Sequence, residues 1–169
     1  MSLTPAAIGI ILDQTKTKVL LVKRKDVPVW VLPGGGIDKD ERPEAAVLRE
    51  VYEETGYQVS IERQSGEYYP INRLAALTFV YVCQIRSGRA ALSPETAAID
   101  FFPLENLPEA FFSIHQDWLN DALCYQELVK KELTQVTYGA VFKHFFKHPM
   151  HLLFYIRSRF FKKDSGSKI

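Results

Sequence analysis

Three carboxylates and one guanidinium in the stretch Arg49-Glu50-Val51-Tyr52-Glu53-Glu54 have the types and spacing to do chemistry together. On a helix, Glu50, Glu53 and Glu54 are related by steps of three, four and one, so they fall on adjoining strips with their roots about 5–6 Å apart. Each close pair of carboxylates repels by about 3 kcal/mol at an effective dielectric near 20, and by less if fully exposed. A hard divalent cation removes that cost. Oxygen ligands of this kind suit magnesium or manganese, and magnesium keeps only a few carboxylates, leaving room for water and substrate phosphates. Such a site stays open to a pyrophosphate. The competing reading of an E-x-x-E-E string is a solvated acidic helix face, which is common. Glu41, Arg49 and a glycine turn at fixed offsets shift the balance toward a metal.

The glycine turn is Pro33-Gly34-Gly35-Gly36, where consecutive glycines allow positive φ and a close approach of backbone groups to a ligand. Arg49 can pair with Glu53 four residues on, and with Glu41 if the intervening loop folds back, so its expected role is to orient carboxylates. The element that must position them is a helix. Pro43 suits a first helical turn, and the helix is predicted to run from Pro43 to Thr55 and stop at Gly56. Val47, Leu48, Val51, Tyr52 and Thr55 recur at three- and four-residue intervals and form its predicted buried face.

The run from Gly35 to Tyr57 resembles the signature of the Nudix hydrolases, G-x5-E-x7-R-E-U-x-E-E-x-G-U with U aliphatic. Gly35, Glu41, Arg49, Glu50, Val51, Glu53, Glu54 and Gly56 meet it, and Tyr57 alone departs from it, at a packing position. The resemblance implies an α/β/α sandwich with a central mixed sheet and a metal-binding loop-helix, and Mg2+-dependent attack of water on a pyrophosphate in a nucleoside diphosphate linked to another group. Mn2+ is an expected substitute. Glu50 and Glu54 are then the principal metal ligands, with Glu53 a further ligand or the general base, and these three roles permute. By position, the Gly34 carbonyl is a further ligand. Some family members take the base from a distant loop, which makes Glu95, in Ser93-Pro94-Glu95-Thr96, a second catalytic candidate; the alternative is a solvent-facing loop glutamate.

The remaining chain reads as one α+β domain over residues 1–136, followed by an extension. At 169 residues and 47% hydrophobic content there is material for a proper core and no repeat or low-complexity stretch. Strands are predicted over 6–12, 19–25, 29–32, 57–63, 75–85 and 99–103, and a helix over 115–133 packed through Trp118, Leu119, Ala122, Leu123, Tyr125 and Leu128. Two cysteines, Cys83 and Cys124, make no disulfide framework, are read as small core residues, and together with the lack of a signal pattern at the N-terminus suggest a cytoplasmic protein.

Residues that would choose a substrate lie outside the signature. Lys23, Arg24 and Lys25 precede the glycine turn on a strand; alternation puts Arg24 on the face opposite its neighbours, where it is the candidate phosphate contact. Tyr68 and Arg73 are candidates to stack on a base or hold a phosphate, whereas Trp30 is read as packing. Tyr68-Tyr69-Pro70 loosely resembles a segment of ADP-ribose hydrolases, so ADP-ribose leads among small nucleotide substrates. Two other functions stay open: a non-catalytic binding or regulatory module, which a lost box glutamate would have favoured, and a hydrolase of RNA caps, which a basic patch beside the metal helix would have favoured. No specific nucleic acid is indicated, and the resemblance allows a homodimer.

Charge is unevenly divided. Residues 137–169 carry seven Lys or Arg against one Asp, a net of +6, while residues 1–136 carry fourteen against nineteen, a net of −5. Tyr138, Val141, Phe142, Phe145 and Phe146 share an apolar helical stripe opposite Lys143, His144, Lys147 and His148. Such a basic aromatic extension fits either a peripheral membrane contact or packing on the chain's own acidic body or a second subunit. Met150 to Ile156 is too short to span a bilayer. His144, His148 and His151 lack acidic or cysteine company and are read as surface histidines.

Overall fold

The computed structural model describes residues 3–134; the extension over 137–169, with its expected amphipathic stripe, lies outside them. The elements in chain order are β1 (Ala6–Ile11), β2 (Lys18–Arg24), β3 (Trp30–Val31), β4 (Gly34–Gly36), α1 (Pro43–Thr55), β5 (Tyr57–Tyr69), β6 (Thr78–Gly88), β7 (Thr96–Pro103), α2 (Ser113–Cys124) and β8 (Val129–Glu132). They build a five-stranded sheet in the order β4-β1-β6-β5-β8 and a three-stranded sheet in the order β3-β2-β7. The larger sheet is mixed, since β1 runs parallel to β6 and β5 parallel to β8, while β1–β4 and β5–β6 are antiparallel.

Strand alternation divides the core into two layers. Ala7 and Ile11 of β1 join Leu20, Tyr81 and Cys83 under α1, which contributes Ala46, Val47 and Val51. Ile8 and Ile10 join Val19, Leu21, Val80 and Val82 under α2, which contributes Trp118, Leu119 and Ala122. Helices on both faces of mixed strands give the expected α/β/α sandwich.

The α1 boundaries match the sequence prediction because they rest on local chemistry. Pro43 opens the helix, and Gly56 closes it at φ 75° with its N–H donating to the Tyr52 carbonyl. Its buried face needs correction: Leu48 and Tyr52 point outward, Tyr52 with 53% exposure, and Ala46 takes their place in the core. The expected helix over 115–133 is shorter. It ends at Cys124, Tyr125 turns extended, and 129–132 becomes a strand that satisfies the free edge of β5. Leu123, Tyr125 and Leu128, read as packing residues, are therefore exposed. Cys83 is buried as expected, but Cys124 is exposed. Among the described residues, no helix is long and apolar enough to cross a membrane.

Candidate metal and catalytic site

The glycine turn becomes β4, an edge strand paired with β1 through Ala6–Gly36, Ala7–Gly35 and Ile8–Gly34. Two of its glycines are required sterically. Gly34 has φ +147°, and a Cβ there would lie 2.4 Å from the Ala7 carbonyl oxygen. A Cβ on Gly35 would lie 2.6 Å from the Glu50 carboxylate carbon, so that carboxylate rests directly on the turn. The turn and the helix are in contact through Gly35 with Glu50 and Gly34 with Glu54.

Arg49 organises the outer part of the cluster. Its Nε and Nη2 donate to the two oxygens of Glu41 at 2.9 Å each, Nη2 also to the Gly36 carbonyl at 3.0 Å, and Nη1 to Glu50 at 2.7 Å. A longer contact of 3.4 Å reaches Glu53. The two-point grip on Glu41, helped by the Asp38 N–H, holds that carboxyl down at about 2. The Arg49 donors are spent on carboxylates and on the turn.

Glu54 occupies the inner part. One of its oxygens accepts the Gly34 N–H at 2.9 Å, whereas the group expected from Gly34 is its carbonyl. Burial drives the Glu54 carboxyl up to about 7; the nearby charges of Glu50 and Glu95 push the same way, against the Gly34 N–H and Arg24. The structure thus brings Glu50, Arg24 and Glu95 within electrostatic reach of Glu54. The link to Glu95 is Thr96, whose hydroxyl donates to the Glu54 backbone carbonyl at 3.2 Å. Lys25 steadies the same turn, its N–H donating to the Glu95 carbonyl and its ammonium to the Ser93 and Pro94 carbonyls. Arg24 is itself held by Asp26 through two donors, at 2.8 and 2.5 Å. Glu53 is the most exposed of the helix carboxylates in the cluster, with 57% of its side chain in solvent.

Two candidate substrate contacts fare differently. Tyr68 is corrected: its ring is 3% exposed, packs 5.4 Å from Trp118, and its hydroxyl donates to Asp121, so it offers no face to a base. Alternation along the long strand β5 turns Tyr68 into the core and leaves Tyr69 outside. Arg73 lies exposed in the turn between β5 and β6, at the end of the sheet where Thr78, Ala6 and Gly36 align. Trp30 packs edge-on against Phe102 at 4.7 Å.

The donor set fits a hard cation: it is all oxygen, it is partly buried, and its like charges are in mutual repulsion. Among the described residues no group of three or more acidic, His or Cys side chains is gathered closely enough to hold a metal ion. Glu50 is turned to Arg49 and Glu54 to the Gly34 N–H, so both carboxylates keep protein partners, and a cation held there would need water and phosphate oxygens to complete its shell.

His115 is a site neighbour that sequence reading missed. Its Nδ1 accepts the Leu32 N–H at 3.0 Å, and its ring lies 4.6 Å from Trp118 and 5.5 Å from Phe112. Enclosure drives its imidazole down to about 3, and Arg24 pushes the same way. A lone histidine near the start of a predicted helix carries no sequence signal for such a contact.

Comparison with known proteins bears on this geometry. The NUDIX domain model matches residues 3–122. An ADP-ribose pyrophosphatase of Methanocaldococcus jannaschii is 32% identical over 122 residues, covering 69% of this chain and 70% of that protein. A Bacillus subtilis protein provisionally named an 8-oxo-dGTP diphosphatase is 48% identical over 65 residues, 38% of this chain and 43% of the relative, so the match spans less than half of that relative's length. The crystal structure of an ADP-ribose pyrophosphatase from Streptococcus suis superposes with a TM-score of 0.61 at 23% identity, covering 76% of this chain and 97% of the other, and shows the shared fold.

Proposed function

Because the chain belongs to the Nudix family, we propose that it is a magnesium-dependent hydrolase that cleaves a pyrophosphate bond in a nucleoside diphosphate derivative, with ADP-ribose the leading substrate. The observation that carries this reading is Glu54, half-buried near Glu50 and pinned to the Gly34 N–H, with its carboxyl raised to about 7. A half-buried carboxylate pair beside a glycine turn has a use when a cation is shared with a diphosphate. ADP-ribose is favoured by the relative from M. jannaschii, which covers most of this chain.

Glu50 and Glu54 would hold the cation, with Glu53 and the Gly34 carbonyl as further oxygen donors. When bound, magnesium neutralises charge growing on the phosphate oxygens and makes water a better nucleophile. Arg24, kept cationic by Asp26, would meet the negative charge of the diphosphate. Arg49 would keep Glu50 from turning away. Glu53 and Glu95 are the two candidates to take the proton from the attacking water, one from the exposed edge of α1 and one from the turn ahead of β7. Comparing two substitutions separates them: with Glu53 as base, Glu53→Gln lowers kcat by about 100-fold or more while Glu95→Gln stays within about threefold, and the reverse ranking assigns the base to Glu95.

Metal binding must also depend on pH with a definite sign. Below about 7 the Glu54 carboxyl is protonated in the metal-free protein, so a cation has to displace a proton there. The apparent magnesium affinity should fall about tenfold per pH unit below that value and level off above it. Isothermal titration with Mn2+ at pH 5.5, 6.5 and 8 reads this directly, and an affinity flat across the series would contradict a Glu54 ligand whose carboxyl is raised to about 7. Substrate choice is tested by measuring kcat/KM for ADP-ribose, 8-oxo-dGTP and a sugar nucleotide with Mg2+, with Mn2+ and with chelator. ADP-ribose should lead; preference for 8-oxo-dGTP would overturn the substrate while keeping the reaction class.

A further inference from the structure

The approach to the glycine turn, Trp30 to Gly34, runs through the interior, where each backbone N–H needs a partner. Trp30 donates to the Ala110 carbonyl at 3.0 Å and accepts the Phe112 N–H at 2.9 Å, so residues 110–112 run alongside β3 as a short extra strand. Val31 faces Val22 on the other side. At Leu32 the neighbouring backbone has left, because α2 begins at Ser113. The partner there is a side chain: Nδ1 of His115 accepts the Leu32 N–H at 3.0 Å. Pro33 has no N–H, and its carbonyl accepts the Gly9 N–H at 2.9 Å. The next donor, Gly34, goes to Glu54.

We infer that His115 is a positioning residue that extends the 110–112 ladder by one rung, fixing Leu32 and through it the register of Gly34 against Glu54. The imidazole suits the task because its ring packs against Trp118 at 4.6 Å and Phe112 at 5.5 Å, contacts that favour the orientation in which Nδ1 meets Leu32. Leu32, 1% exposed, has no water to replace it. The chain between Leu32 and Gly34 is a single proline, whose fixed φ transmits displacement instead of absorbing it. The inference rests on the reading of Gly34 and Glu54 as part of the cation site, and it adds that α2 sets the geometry of that site from the opposite face of the sheet.

The full chain carrying His115→Phe keeps a ring and loses the acceptor, while His115→Asn loses the ring and keeps an acceptor close to the Nδ1 position. In amide NMR spectra of the metal-free protein, H115F should move both the Leu32 and the Gly34 resonances, and H115N should leave Gly34 near its wild-type position. Mn2+ affinity, followed by EPR of the free ion, should weaken about tenfold in H115F and stay within about threefold in H115N, as is usual for residues that orient metal ligands from behind. A Gly34 resonance unmoved in H115F, or H115N as impaired as H115F, would overturn the inference. If H115F does not fold, H115A against H115N reads the same contrast. Wild-type protein that binds no Mn2+ would instead defeat the cation site, and the Gly34 resonance would still decide the role of His115.

Discussion

Replacing Glu54 by glutamine is expected to lower turnover by about three orders of magnitude and, without metal at pH 8, to make the protein more stable. The two effects have one cause. Glutamine keeps the size of the side chain and an oxygen able to accept the Gly34 N–H, so the turn stays in place; what is lost is the negative charge. In the folded protein that charge is disfavoured by burial and by Glu50 and Glu95, which raises the carboxyl from 4.5 to about 7. A folded-state value above the unfolded one means that the stabilising contribution is full below about pH 4.5 and is lost as pH rises through 7. At pH 8 the ionised side chain costs about 3 kcal/mol relative to a neutral one, a cost that the cation removes and that glutamine never incurs. Thermal melts in chelator should show E54Q several degrees above wild type at pH 8 and level with it near pH 4.5. Steady-state kinetics should show kcat and kcat/KM falling together, as when an interaction made in the transition state is removed. Full activity in E54Q, or no gain in stability, would contradict the role given to this residue.

The second large effect is expected at Arg49. Its guanidinium spends donors on both oxygens of Glu41, on the Gly36 carbonyl and on Glu50, a planar fork that an ammonium cannot reproduce. Arg49→Lys retains the charge yet should lower kcat by about 100-fold, because Glu50 is released from its fixed position over Gly35. The same change should surface in acid. Glu41 is held at about 2 against 4.5 in the unfolded chain, so its contribution to stability is present above 4.5 and fades as pH falls through 2. In R49K that fading should move up toward 4.5, readable by acid titration of the Glu41 carboxyl by NMR. Glu41→Gln and R49K should combine with less than additive loss, since each removes the same pair. A fully active R49K would show the network to be ornamental to catalysis.

What could be read from the sequence was what local chemistry decides. Pro43, Gly56 and the spacing of Arg49, Glu50, Glu53 and Glu54 set the helix and its acidic strip, and these are features of consecutive residues. Periodicity located an apolar face on α1 without showing where its edge lies: Leu48 and Tyr52 sit one strip beyond the core, while Ala46, too small to announce itself, is wholly buried. The end of α2 depended on a partner far away in sequence, the free edge of β5, which takes 129–132 as a strand. The nearness of Glu95 to Glu54 depends on non-local hydrogen bonds, from Thr96 to Glu54 and from Lys25 to the turn that carries Glu95. His115 is the extreme case. Its acceptor replaces a strand that has just ended, and nothing in the residues around it announces a bond to Leu32.

The central claim is that this carboxylate cluster, with a divalent cation, directs water onto one phosphorus of a pyrophosphate. Hydrolysis of ADP-ribose in 18O-labelled water, followed by mass spectrometry of the two phosphorylated products, tests it most directly. The account predicts cleavage with Mg2+ and none with chelator, and a single label carried by one of the two products only. Cleavage that persists in chelator, or label divided between both products without preference, would contradict it.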